Sequence, residues 1–471
     1  RRRLAHRQIA EALQALHGER PEHAGEIALH YGKAGQGADA AVLRFATIAG
    51  DHARQGFAYQ AALGHYNAAL QAAERLGSRA DIDITRRAFA GRLRTYEALL
   101  DWDGMLETDR RYGQWAAHHQ QKPALIAPRR LVLLRALMGD LAGAAQLSAD
   151  HANQRPEAIP MLQDMLARTA RILQPVSELQ ANEGTEPGDV PPPAAWQPVE
   201  PPPGAPASEL PALLGPEEAA VALFQVGWAA LVQGLIQAAE PCLHQAYTLG
   251  KQTGQAAVAV ISALQLAHLH DLRGERSATH EWLATSIALA ERVPEAAWAS
   301  IWPRIHEAFL LLLDDRLDEA EARFTNLACQ LNTLAALQSH RASVEVGLGL
   351  LALQRGDLEN AHTRLQHALH SPQLIYGFVQ VVAQHGLARI AALRGQPAQA
   401  RRLLYHALAS SAQRGLLPEY IRSAIAITRF ERDFGRAAQA LPLLHNAIHL
   451  AETAELGALA SAARTLLQRL S

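Results

Sequence analysis

Residues 344–369 read VEVGLGLLALQRGDLENAHTRLQHAL, and this stretch decides the fold. Before Gly356, the apolar residues Val344, Leu348, Leu351 and Leu353 recur at the spacing of about 3.6 residues that marks a helix with one apolar face. After it, Leu358, Ala361, Leu365, Ala368 and Leu369 do the same. A glycine between two such runs can take the left-handed conformation that closes a helix C-terminus. Ala361, five positions on, is small enough to let the second helix lie close against the first. The stretch predicts one pair of antiparallel helices.

The same signature recurs through the second half. A turn residue followed five positions later by a small residue appears as Gly234 and Ala239, Gly274 and Thr279, Asp315 and Ala320, Gly356 and Ala361, Gly395 and Ala400, and Gly435 and Ala440. The steps are 40, 41, 41, 39 and 40 residues, a regularity that chance does not supply. Two further rows keep the register. Seven positions before the turn stand Gly227, Ala267, Ala308, Gly349, Ala388 and Thr428; twelve after it stand Ala246, Ser286, Leu327, Ala368, Ala407 and Ala447. Small residues in such rows permit short interhelical distances. The second half is a repeat array.

This pattern resembles the tetratricopeptide repeat, a two-helix unit of about 34 residues. The unit here is longer, and in that it is similar to the repeats in the sensor domain of MalT-type activators, within the STAND class of signalling ATPases. The resemblance covers residues 216–456, and the helix at 457–471 looks like a terminal cap. It departs from the family where the usual Trp and Tyr positions hold apolar or small residues. A second resemblance lies in the opening RRRLAHRQIAEALQALHGERPEHAGEIALHYGKAG, similar to the stretch where STAND regulators pass from ATPase module to repeats. Arg1, Arg2, Arg3, Ile9, Ala10, Leu13, Ala28, His30 and Tyr31 carry it. The resemblance implies an all-α, right-handed solenoid of tetratricopeptide type and a nucleotide-binding module upstream of residue 1. That the chain opens on Arg rather than Met fits a piece of a longer protein.

Residues 1–36 are then read as a helical junction, and 37–181 as a less regular block of the same kind. Ala49, Gly50, Ala53, Ala62, Tyr66 and Ala69 fit one unit, a second turns at Asp101–Asp103, and a third spans 124–153 with Gly139-Asp140 as its turn. A lone helix is expected at 157–174. Residues 182–215 are the one compositional break, with prolines throughout, among them Pro191–Pro193 and Pro201–Pro203. Such a segment is expected to be an extended or disordered insertion, either a spacer or a Pro-rich ligand motif.

Composition narrows function. The 471 residues hold 44 Lys+Arg against 46 Asp+Glu, which excludes a globally basic nucleic-acid binder. Apolar residues reach 49%, carried by Ala and Leu, which favours helices over strands and rules out wholesale disorder. The two cysteines, Cys242 and Cys329, cannot staple so long a chain, and a reducing cytoplasm is the natural compartment. No apolar run reaches the roughly 18–20 residues that cross a bilayer, so no membrane partner is expected.

Catalytic signatures are missing from the sequence. It has no phosphate loop, no HExxH, no CxxC and no GxSxG. The pairs His367/His370 and His445/His449 share helix faces, but nothing local completes a metal set of three or four ligands. Neither a catalytic residue, nor a metal, nor a cofactor is expected.

The promising surface follows from repeat geometry. In a tetratricopeptide-like array the first helix of each pair lines the inner face, and positions thirteen, ten and six before the turn should point there. The last row reads Trp228, His268, Phe309, Leu350, Arg389 and Arg429; the middle row, Phe224, Leu264, Ile305, Val346, His385 and Ile425; the first, Val221, Ile261, Trp302, Ser343, Val382 and Arg422. The expected ligand-binding residues are Phe224, Trp228, Leu264, His268, Trp302, Ile305, Phe309, His385, Arg389, Arg422 and Arg429. Apolar and aromatic in the first three units, the wall turns cationic in the last two, where forked Arg donors suit a carboxylate or phosphate. The competing reading buries these rows between repeats and leaves no groove.

The function expected is that of a sensor or autoinhibitory domain taking a small inducer or a peptide. Its partner would be the upstream nucleotide-binding module of the same polypeptide, and the STAND resemblance implies that the parent oligomerises on activation. The rival reading is a constitutive protein–protein scaffold that holds a partner's peptide without switching.

Overall fold

The computed structural model describes residues 2–35, 37–55, 58–99, 101–121, 210–292, 299–333, 338–370 and 377–470, together with Gln146, Arg168, Arg171, Ile172, Trp196 and Gln197. Apart from those six residues, the expected third unit at 124–153, the lone helix at 157–174 and the Pro-rich segment up to residue 209 lie outside the described residues. Among the described residues every regular element is helical, so the fold is all-α. The chain divides into two units, residues 1–127 with 293–298, and residues 128–292 with 299–471.

The first unit contains α1 (Arg2–His17), α2 (Pro21–Ala34), α3 (Asp39–Gln55), α4 (Tyr59–Leu76), α5 (Ile82–Leu99) and α6 (Trp102–His118). Each helix packs on the next, and α3 also packs on α5. Short connections between packed neighbours force them antiparallel. Asp101 caps α6, its side chain accepting from the Gly104 amide at 2.9 Å, at the turn expected there. Tyr66 is the centre of this core. Fully buried, it lies flat against Gly50 of α3, where any Cβ would stand 2.6 Å from the ring, and its hydroxyl donates to Asp51 at 2.6 Å.

The second unit holds the regular array. The first helices of its six pairs are α8 (Pro216–Val232), α10 (Ala256–Arg273), α12 (Ile301–Leu313), α14 (Gln338–Gln354), α16 (Gly377–Leu393) and α18 (Leu417–Asp433). The second helices are α9 (Ile236–Gln252), α11 (Arg276–Arg292), α13 (Leu317–Thr333), α15 (Leu358–Leu369), α17 (Pro397–Arg414) and α19 (Ala437–Thr453). A short α7 (Leu210–Leu214) precedes them and α20 (Gly457–Gln468) follows.

The periodic residues sit where the repeat logic requires. All six turn residues have positive φ, from 58° at Asp315 to 85° at Gly274. The small residues five positions on, Ala239, Thr279, Ala320, Ala361, Ala400 and Ala440, are at most 1% exposed. Gly227 and Gly349, seven before their turns, press on Leu243 and Leu365, whose Cγ atoms lie 2.7 and 2.8 Å from where a Cβ would be. The two leucines occupy the same position of their repeats. This is a tetratricopeptide-like solenoid of paired helices.

The first helices are interior. α10 buries Val258 through Leu264 without a break, and then Leu266, Ala267, Leu269 and Leu272. A helix apolar all round belongs inside. Part of its cover comes from far along the chain. The turn at Gly234 rests on Leu417 at the leading end of α18, and the turn at Gly274 rests on Ala458 of α20. Gln237 donates to Glu455 at 2.7 Å, and Arg273 pairs with Glu240 at 2.6 Å within 4.0 Å of Glu455. The pair at Gly234 meets the pair that comes five later, and the pair at Gly274 meets the helix five first helices on. Within this unit the array therefore winds through one turn in five repeats.

Candidate functional site

Five repeats per turn leave the inner wall tight. Phe224, Leu264, Trp302 and Ile305 are buried, at 6, 8, 8 and 8% exposure. Trp228, His268, Phe309, His385 and Arg422 are part-buried, while Arg389 and Arg429 are exposed. Trp228 packs with Ala229, Leu416 and Ile172 where the first and sixth pairs meet. Phe309 stands edge-on to Phe324 of α13, with ring centroids 5.2 Å apart, and joins the apolar core that Leu350 also borders. Arg389 and Arg429 hold the same row position on α16 and α18, which pack against each other.

The inner wall gathers imidazoles from several repeats. His268 of α10 faces His306 of α12 with ring centroids 5.8 Å apart. His385 of α16 meets the Ser423 hydroxyl of α18 at 3.0 Å. The indole N–H of Trp302 donates to Nε2 of His340 on α14. Arg422 of α18 donates to Glu419 at 2.7 Å, and that carboxylate is 8% exposed.

Electrostatics tie these groups together. Burial pushes His268 down to about 3, and the Arg422 charge, like any charge His306 takes on, adds to the effect. Burial and then Arg422 push His385 down to about 4. Burial likewise lowers His306, opposed by Asp271 and reinforced by Arg422, and burial alone takes His340 to about 3. Arg422 thus acts on histidines from three other first helices. Desolvation disfavours the charged ring, so all four imidazoles are neutral at physiological pH, each offering one donor and one acceptor. Nε2 of His306 is buried without a hydrogen-bond partner. The arrangement supplies hydrogen-bonding groups in an apolar wall, where Arg422 is paired with Glu419.

The row logic picks out His268, His385 and Arg422 but passes over His306 and His340. His306 lies one residue off its row, and His340 three positions before Ser343 of the first row, at the beginning of α14. His306 stands nine positions before its turn and His340 sixteen before its own, so the two belong to different rows of the repeat. Cys242 is buried and Cys329 exposed. Among the described residues no group of three or more metal-ligating side chains forms, and no helix is long and apolar enough to cross a membrane.

No protein-family model and no curated protein matches the chain. Among solved structures it is similar to a chain of the APC/C hetero-tetramer Cut9–Hcn1, with TM-score 0.46 and 12% identity over 97% of this chain and 92% of that one. It is also similar to yeast Tom70, with TM-score 0.31 and 13% identity over 90% of this chain and 95% of that one.

Proposed function

We propose that residues 216–456 are the ligand-recognition part of a signalling protein, reading an inducer or peptide through the inner rows of the array. The observation that carries this is the set of inner-row polar groups, His268 facing His306 at 5.8 Å and His385 bonded to Ser423 beside Arg422 on α18, with the Arg422 charge bearing on all three imidazoles. An apolar wall would pack without them, and desolvated titratable groups brought together in this way are a mark of functional sites. Arg389 and Arg429, exposed at the same row position of two packed first helices, would offer forked donors suited to a carboxylate or phosphate.

As a sensor, the array would hold an upstream nucleotide-binding module of the same polypeptide in one state and release it when ligand prefers the other. A change of a few kcal/mol in differential affinity is enough to move such an equilibrium substantially. The setting fitting this reading is the cytoplasm, with the parent oligomerising on release.

A thermal-shift screen of carboxylated and phosphorylated metabolites against the chain tests the reading. A binder should raise Tm, and the rise should vanish in an Arg389→Ala/Arg429→Ala variant whose own Tm is unchanged. Failure of every compound to stabilise the chain would leave the constitutive scaffold as the better description. The STAND context has a separate test: a coding sequence upstream of residue 1 without a phosphate loop removes it.

A further inference from the structure

Trp196 of the Pro-rich segment lies against the array. Trp196 stacks at a tilt on Tyr420 of α18, ring centroids 5.4 Å apart. Tyr420 is 1% exposed, and its hydroxyl takes hydrogen bonds from the backbone of Trp196 and from the Asn446 side chain of α19. The seat is the leading end of α18, where residues 414–421 are all buried. The matching end of α10 is more open, with Ala256 and Ala257 only part-buried.

Nearby chain is pinned to the same place. Arg168 donates to Gln233 at 3.0 Å, beside the turn at Gly234. Ile172 is buried with Ala229 and Leu416. Both contacts lie at the joint between the first and sixth pairs, and Trp196 attaches to the sixth.

The sequence around Trp196 is PPPAAWQPVEPPP, residues 191–203. Proline-rich sequences as a class lose little entropy on docking, and aromatic seats receive them in many recognition domains. A tryptophan is the residue type best able to anchor one. We propose that the leading end of α18 is a recognition seat for a proline-flanked tryptophan, with Trp196 its tethered occupant. An extended segment of like chemistry from another protein chain would compete for the seat. It would have to overcome the tether, which gives Trp196 an effective concentration on the order of millimolar.

The test uses a fluorescein-labelled peptide of residues 191–203 and fluorescence anisotropy. The Trp196→Ala chain, its seat vacated, should bind the peptide at least tenfold more tightly than the unaltered chain. A peptide with alanine in place of the tryptophan should bind neither. Tyr420→Phe in the Trp196→Ala background keeps the ring and removes the hydroxyl, and should weaken binding several-fold. Far-UV circular dichroism confirms that each variant stays folded. Equal binding to the unaltered and Trp196→Ala chains, or binding to neither, overturns the proposal.

Discussion

Glu455 accepts a hydrogen bond from Gln237 at 2.7 Å although 218 positions separate them. The bond marks the joint at which the array, after five repeats, returns to its own beginning. Hydrophobic contact supplies more of the joint than this exposed pair does, because Gly234 presses on Leu417 and Leu416 is buried with Ala229.

The joint predicts a cost for bulk at Gly457. A Cβ there would stand 2.5 Å from the carbonyl oxygen of Arg273, a backbone atom that no rotamer change can move. Gly457→Ala should destabilise the second unit by about 1–3 kcal/mol. Urea denaturation measures that loss, and small-angle scattering should show the variant expanded if the joint opens before the repeats melt.

In the first unit, Gly50→Ala should be as costly, since the added methyl meets the Tyr66 ring at 2.6 Å. Tyr66→Phe is milder. It removes the bond to Asp51, but that carboxylate keeps its ion pair with Arg87 at 2.6 Å. A loss of about 0.5–1.5 kcal/mol is expected from the chemical-denaturation midpoint.

Arg401 and Glu431 form a two-bond ion pair at 2.6 and 2.9 Å, with the Glu431 side chain 2% exposed. Arg401→Ala strands a buried carboxylate and should cost about 3–5 kcal/mol. The double variant Arg401→Met/Glu431→Leu should regain most of it, since it removes both charges and refills the space. A double-mutant cycle in urea decides whether the pair behaves this way.

The inner histidines predict a pH dependence. Their folded pKa values lie below the ordinary 6.5, at about 3 for His268 and about 4 for His385, chiefly through burial. Between those values and about 6.5 the unfolded chain binds protons that the folded chain does not, so stability rises with pH across that window. Acidification from pH 6.5 towards 4 should therefore weaken the fold, with a slope of up to about 1.4 kcal/mol per pH unit for each such histidine. Replacing His385 with asparagine, which can still bond Ser423, should flatten the slope in denaturation curves recorded at pH 5 and 7.5.

Thiol labelling should separate the cysteines. Burial raises Cys242 to about 11, which keeps it protonated and out of reach, whereas Cys329 is exposed. Titration of the native chain with a disulfide reagent should consume one thiol quickly and the second only after denaturation.

Much of this architecture is local and was therefore legible. The identity of each turn follows from a left-handed residue, and Gly or Asp stands at all six. Helix contacts within a pair follow from small residues at fixed offsets, and these are buried as their spacing requires. The inner rows were legible as rows, which located His268, His385 and Arg422 on the first helices of the second, fifth and sixth pairs. They could not show that Phe224, Leu264, Trp302 and Ile305 would be nearly enclosed.

What the amino-acid order determined by itself was the unit: two helices, their length, their turn and their mutual face. Only the tertiary structure decided how many units make a turn, which brought Gln237 to Glu455 and Trp196 to Tyr420 and let the Arg422 charge bear on three histidines. The reason is geometric. A helix pair is specified by residues a few positions apart, whereas the winding sums a small rotation at each interface between repeats. No single interface records that sum, and it becomes visible only where distant repeats touch.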